Sequence, residues 1–138
     1  MQATMDQALI TPAEESGRDL FIVLCASGFE DIARARSALM FASLAASADY
    51  RTVLYCIQTA VDVMVTGAIE EHEQPQPGVP TLRQRLEEAL DMGVEIQCCT
   101  QTMENKKIKQ ADLVAGVKAA GAMNLIEMTS RATGSLSF

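Results

Sequence analysis

The chain has 138 residues, enough for one domain of ordinary size with a buried core. Its hydrophobic fraction of 49% excludes an intrinsically disordered chain. The formal charge of −7 opposes binding to nucleic acid or to an anionic membrane surface, and it favours a partner with a basic patch.

The N-terminal sequence has neither the basic segment nor the apolar segment of a signal peptide. The longest apolar stretches, 20–26 and 38–46, are too short for a membrane helix. We therefore expect a cytoplasmic protein without a membrane span.

The first third of the chain predicts a polar tail, a strand and a helix. Residues 1–18 show no periodicity, whereas 20–25 is a continuous apolar run typical of a strand buried on both faces. Ser27 and Glu30 have the spacing of a capping box, which predicts a helix over 30–48. The second half of this helix is apolar nearly all round and favours a subunit interface.

The middle of the chain repeats this pattern. A second buried strand is predicted over 52–57, a helix over 59–70 and a surface loop over 70–80. Thr81 and Gln84 form another capping-box pair, so a helix is predicted over 81–92 with Gly93 as its stop.

The last third predicts a strand over 94–98, a helix over 102–107, a strand over 117–120, a helix over 122–132 and a final strand over 134–138. Strands separated by single helices indicate a parallel sheet with helices on both faces. We therefore predict an α/β fold, a three-layer α/β/α sandwich around a mainly parallel sheet of about five strands.

Four cysteines carry the chemistry that this sequence offers. They lack the spacing of a secreted disulfide framework, so we expect free thiols. All four lie at or near the carboxyl ends of predicted strands, where open parallel sheets bind ligands. These cysteines are Cys25, Cys56, Cys98 and Cys99. Cys25 and Cys56 are interpreted as small core residues. The Cys98–Cys99 pair also precedes a helix, whose dipole and free N–H groups favour the reactive thiolate.

Side-chain alternation separates the two adjacent thiols. Val94, Ile96 and Cys98 point to one face of a regular strand, and Cys99 points to the other face with the polar residues Glu95 and Gln97. We therefore assign Cys99 as the reactive thiol and Cys98 as a supporting residue or a second carrier. Packing alone is the competing interpretation for the pair.

Other polar groups are weaker candidates. His72 lies among Glu70, Glu71 and Glu73, but without metal-ligand spacing it is interpreted as part of a solvated loop, and no metal or cofactor is predicted. Lys106 and Lys107 are expected at a solvated helix end, where they could also help to hold negative charge near Cys99.

From residue 19 to residue 138 the sequence resembles the DsrE/DsrF-like family of small sulfur-transfer proteins. Four segments carry the resemblance: the opening strand and turn 21–28, the helical segment 35–39, the segment 94–103 around the two cysteines, and 113–117 with the terminal Phe138. The cysteine that accepts sulfane sulfur in this family matches Cys99, and the doublet is similar to the branch associated with cytoplasmic sulfur oxidation.

The resemblance implies a sulfur carrier or sulfurtransferase that holds sulfur as a persulfide and passes it to another thiol. It also implies a TusA-like carrier protein and a rhodanese as partners, and a homo-oligomer, with a trimer favoured over a hexamer. Two other functions stay open: a flavodoxin-like module that binds a small ligand, and a redox-sensing oligomer.

Overall fold

The structure is a computed structural model that describes residues 17–138. Its strands are β1 (Leu20–Cys25), β2 (Arg51–Cys56), β3 (Glu95–Cys99), β4 (Val117–Ala120) and β5 (Gly134–Ser137). Its α-helices are α1 (Ile32–Ser47), α2 (Thr59–Val63), α3 (Ala68–His72), α4 (Leu82–Asp91), α5 (Thr100–Lys106) and α6 (Ala122–Arg131), and two 3-10 turns lie at Phe29–Asp31 and Gln110–Asp112.

The five strands form one parallel sheet in the order β4-β3-β2-β1-β5. The chain moves outward from β1 to β4, strand by strand, and then returns across the sheet to place β5 beside β1. Because parallel crossovers are right-handed, the outward and the return connections lie on opposite faces. The predicted α/β/α sandwich is confirmed.

The two faces of the sheet are covered unequally. One face, here called the major face, carries Val23, Leu54 and Ile96 and packs against residues from α1 to α5 in the larger core cluster. The opposite face, here called the minor face, carries Ile22 and Val53. Within residues 17–138 it packs against α6 and against Ala132, which follows α6, in the smaller cluster. Among the described residues, fewer elements therefore cover the minor face than the major face.

Local residues define both ends of helix α4: a capping box at its N-terminus and a glycine after its C-terminus. The Gln84 N–H donates to the Thr81 hydroxyl at 3.1 Å, and the Thr81 N–H donates to the Gln84 side-chain oxygen at 2.8 Å, which completes the predicted capping box. Gly93 follows the helix with φ of +87°, a conformation that glycine adopts without steric cost.

The other predicted capping box is wrong. The Gly28 N–H donates to the Glu30 side chain at 3.1 Å, and a 3-10 turn precedes the helix. Asp31 is the N-cap of α1 and its side chain accepts from the Arg34 N–H. Gly28 packs so closely against Thr59 that a Cβ would lie 2.1 Å from the Thr59 carbonyl oxygen, so a residue with a side chain does not fit there without a shift of the backbone.

The helix predicted over 59–70 is divided into α2 and α3. Gly67 has φ of +85°, and Val65 forms an isolated antiparallel bridge with Leu113. The main chain at Met64 and Thr66 also bonds the segment 112–114, so a tertiary contact replaces the helical bonds between α2 and α3.

The predicted surface loop over 70–80 is partly wrong. Its first residues complete α3, and Glu73 is buried. One Glu73 oxygen accepts from the Leu82 N–H at the start of α4 at 2.8 Å, and the other pairs with Arg36 at 3.4 Å. This carboxylate holds the segment between α3 and α4 against α1.

Of the predicted tail, residues 1–16 lie outside the described residues. No helix within 17–138 is long and apolar enough to cross a membrane.

Candidate functional site

Three thiols form a row at the carboxyl ends of three neighbouring strands. Cys25 pairs with Cys56, and Cys56 pairs with Cys98, in the register of the sheet. All three belong to the core of the major face, where Cys56 and Cys98 are 0% exposed. The core role predicted for Cys25 and Cys56 agrees with this burial.

Two thiols of this row, Cys25 and Cys56, are held in their protonated form. A hydrogen bond with Cys98 and complete burial raise the pKa of Cys56 well above its ordinary value. Burial raises the pKa of Cys25, and its thiol donates a hydrogen bond to the Ser27 carbonyl oxygen at 3.4 Å. Because the thiolate is the nucleophile, neither group is poised to react.

Cys99 lies on the opposite side of the sheet from Cys98. It is the last residue of β3, paired with Ala120 of β4, and it shares the minor face with Gln97. It is also the N-cap residue of α5, because Thr100 begins the helix without an intervening loop. The side chain is 6% exposed, so it is more enclosed than alternation alone predicts.

The surroundings of Cys99 favour the thiolate. Burial raises the pKa of Cys99, but hydrogen bonds to the sulfur outweigh this effect and leave the pKa below its ordinary value. The donors come from the first turn of α5 and from β2: the N–H of Thr102, the Tyr55 hydroxyl, the Thr102 hydroxyl and the N–H of Gln101. A thiol with such donors is ionised in a larger fraction than an ordinary cysteine.

Tyr55 is a residue that sequence reasoning missed. It is fully buried, and its hydroxyl donates to the Ala120 carbonyl oxygen at 2.8 Å. Burial and hydrogen bonding to Cys99 raise its pKa, so the phenol keeps its proton. The available signal was a hydroxyl in the apolar end of a strand, one position before its last residue, Cys56.

The Thr102 side chain is positioned by a hydrogen bond from the loop that follows β2. The Gln58 N–H donates to the Thr102 hydroxyl oxygen at 3.4 Å, and Gln58 has φ of +52°, which is uncommon for a residue with a Cβ. Since the oxygen accepts this bond, the hydroxyl hydrogen is left to donate to the Cys99 sulfur.

The remaining predicted groups lie away from Cys99. His72 ends α3, rather than lying in a loop, and its ring stacks on Phe29 at 4.6 Å beside an open cavity of about 510 Å³. Lys106 donates to Asp62 at 3.1 Å, and Lys107 ends α5 in the left-handed region with φ of +59°. Both lysines are thus at the end of α5 farther from Cys99.

The His72 region offers carboxylates but no metal-binding cluster. Within residues 17–138, no group of three or more His, Cys, Asp or Glu side chains is placed to hold a metal ion. The chemistry available at the described site is that of a hydrogen-bonded thiolate.

Comparison with known proteins identifies the family of this chain. A sequence profile of the DsrE/DsrF-like family matches residues 19–138. The chain belongs to the DsrE/DsrF-like family. Proteins of this family are generally associated with sulfur relay. A comparison with curated proteins gives no match.

Solved structures share the fold. The YchN protein of E. coli superposes with a TM-score of 0.65 at 20% identity, covering 88% of this chain and 99% of that one. A protein of unknown function from Bacteroides thetaiotaomicron gives 0.62 at 15% identity, covering 87% and 95%. Another from Methanobacterium thermoautotrophicum gives 0.63 at 13% identity, covering 88% and 99%. The fold is therefore common to bacterial and archaeal proteins.

Proposed function

We propose that this DsrE/DsrF-like protein is a sulfur carrier that accepts sulfane sulfur on Cys99 as a persulfide and passes it to a partner thiol. The observation that supports this most directly is the set of hydrogen-bond donors around Cys99, which lowers the pKa of this thiol while the pKa values of Cys25 and Cys56 are raised. The family membership supports the same chemistry.

The proposed relay is an exchange without net redox change. The Cys99 thiolate attacks the outer sulfur of a donor persulfide, R–S–SH; the donor S–S bond breaks, RS⁻ leaves, and Cys99 carries S–SH. An acceptor thiolate then attacks that outer sulfur, forms its own persulfide and releases the Cys99 thiolate. Both steps need a stabilised sulfur anion and access for a partner thiol.

Cys98 has a supporting role in this proposal. Its side chain lies in the buried row on the major face, whereas Cys99 lies on the minor face. Direct passage of sulfur between the two would require the end of β3 to unfold, and so would a disulfide between them. This arrangement favours a single cargo thiol over a vicinal redox sensor.

We further propose partners with a thiol and a basic surface, because the net charge of the chain is −7. A TusA-like carrier and a rhodanese fit the implied role in sulfur oxidation.

A homo-oligomer, with a trimer favoured, is supported by exposed apolar residues on two helices: Leu44 on α1, and Met123 and Ile126 on α6. Light scattering that reports a monomer at micromolar concentration contradicts the oligomer.

Incubation with polysulfide followed by intact-mass measurement tests the carrier function. The parent protein is expected to gain the mass of one sulfur atom, removed again by dithiothreitol, and Cys99→Ser is expected to lose this gain. The matched control is Cys98→Ser, which keeps the sulfur-bearing site and is expected to load at a reduced level. Loading of Cys99→Ser at the parent level contradicts the proposal.

A further inference from the structure

We infer that the Tyr55 hydroxyl turns from the Ala120 carbonyl oxygen to the sulfur on Cys99 when that sulfur becomes an anion, and thereby positions it for transfer. This inference rests on the proposed function, since it assigns a positioning residue to the persulfide site. It concerns a residue of the neighbouring strand, not one of the two cysteines.

The sheet register places the phenol beside Cys99. Tyr55 pairs with Gln97, two residues before Cys99, and all three side chains lie on the minor face. The Tyr55 hydroxyl lies 2.8 Å from the carbonyl oxygen of Ala120, which is the residue paired with Cys99. The ring therefore extends from β2 across β3 towards β4, at the level of the Cys99 sulfur.

A phenol suits an anion that appears and disappears. It has one proton to donate, and a sulfur anion is a stronger acceptor than a neutral carbonyl, so the hydrogen bond to sulfur is preferred once the charge forms. In the thiol state the same proton returns to the Ala120 carbonyl oxygen. Complete burial of Tyr55 fixes the ring, so only rotation about the C–O bond and a small shift are needed.

The carbonyl that loses its partner can be solvated. Ala120 is the last residue of an edge strand and is partly exposed, so water can replace the phenol at this oxygen. The cost of turning the hydroxyl is therefore smaller than the cost of leaving a fully buried carbonyl without a partner.

Tyr55→Phe isolates this hydroxyl, because the ring and its packing remain. The experiment follows the rate of iodoacetamide alkylation at Cys99 against pH, with the modified residue assigned by peptide mass spectrometry. Loss of the hydrogen bond is expected to move the midpoint of the profile up by about one pH unit, equivalent to about a tenfold change in the ionisation constant. The rate at high pH should not fall, because a more basic thiolate is intrinsically more nucleophilic.

Tyr50→Phe is the matched control, since Tyr50 is the only other tyrosine in the sequence. Tyr50 lies immediately before β2, and its ring contacts Phe21 of β1. Its profile should superpose on that of the parent. The other charged side chains on the minor face of β2, β3 and β4 are unchanged in both variants: Arg51, which pairs with Glu95 at 2.8 Å, Glu95 itself, and Lys118.

One outcome would overturn the inference about Tyr55, and a different one would overturn the proposed sulfur-carrier function. If the Tyr55→Phe profile superposes on that of the parent, even with a lower melting temperature, the residue is structural and the inference is wrong. If the parent accepts no sulfur from polysulfide, the proposed function is wrong whatever the profile shows. A shifted profile together with normal loading of the parent supports both.

Discussion

The two faces of the sheet treat the same functional group in opposite ways. On the major face, Cys25, Cys56 and Cys98 form a buried row under several helices. A hydrogen bond with Cys98 and burial raise the pKa of Cys56, and burial raises that of Cys25. On the minor face, where α6 is the covering helix within residues 17–138, hydrogen-bond donors surround the Cys99 sulfur and its pKa is lowered. Donor placement, rather than burial alone, therefore decides which thiol is poised to react.

The largest expected difference between the faces is in thiol reactivity. Native protein treated briefly with iodoacetamide near neutral pH should be modified at Cys99, whereas the buried row reacts only when the structure opens. Since global opening costs about 5–15 kcal/mol, Cys56 and Cys98, which are 0% exposed, should react at least about a thousandfold more slowly than Cys99. Peptide mass spectrometry measures the four rates, with denatured protein as the control; equal native rates would contradict the comparison.

The second difference is in packing energy. Leu86 of α4 is fully buried in the core of the major face, so Leu86→Ala should lower the free energy of unfolding by about 2–5 kcal/mol. Ile126 of α6 is 59% exposed, and Ile126→Ala should change the stability of the subunit by less than about 0.5 kcal/mol. Urea unfolding at low protein concentration compares the two, and a loss of more than 2 kcal/mol in Ile126→Ala would show that α6 is covered in solution.

The third prediction exchanges sulfur for oxygen on each face. Cys56→Ser places a hydroxyl in an apolar row and should destabilise the protein by about 1–3 kcal/mol. Cys99→Ser should cost less, because the first turn of α5 and Tyr55 offer hydrogen-bond partners to the new hydroxyl. The order of the two losses in urea unfolding is the measured quantity, and the reverse order would contradict the assignment of polar and apolar surroundings.

The smallest prediction concerns alkaline pH. The pKa of Cys56 is raised from 9.0 in the folded protein, so its contribution to stability is complete below that value and is lost as the pH rises towards the folded pKa. Between about pH 8 and about pH 10, the parent should therefore lose more stability than Cys56→Ala.

For Cys99, the contribution to stability should change with pH in the opposite direction. Its folded pKa is lowered, so its contribution is present above the ordinary value and is lost as the pH falls through the folded pKa. Relative to Cys99→Ala, the parent should therefore gain stability as the pH rises towards 9.0, the ordinary value. Unfolding curves at several pH values test both signs, and a common sign for the two cysteines would contradict the comparison of the faces.

The sequence by itself determined the order of the elements and the facing of the two adjacent thiols. Apolar runs of strand length, the Thr81–Gln84 capping box and Gly93 are local signals, and alternation along β3 separates Cys98 from Cys99 by geometry alone. These features depend on residues within a few positions of each other, so the sequence contains them directly.

Only the tertiary structure decided the contacts that join distant segments. The bridge between Val65 and Leu113 divides a helix that periodicity predicts as continuous, and Glu73 is buried because Leu82 and Arg36 meet it there. Tyr55 meets the sulfur of Cys99 because β2 and β3 are neighbours in a particular register. Register between strands is set by the packing of the whole sheet, which no local pattern encodes.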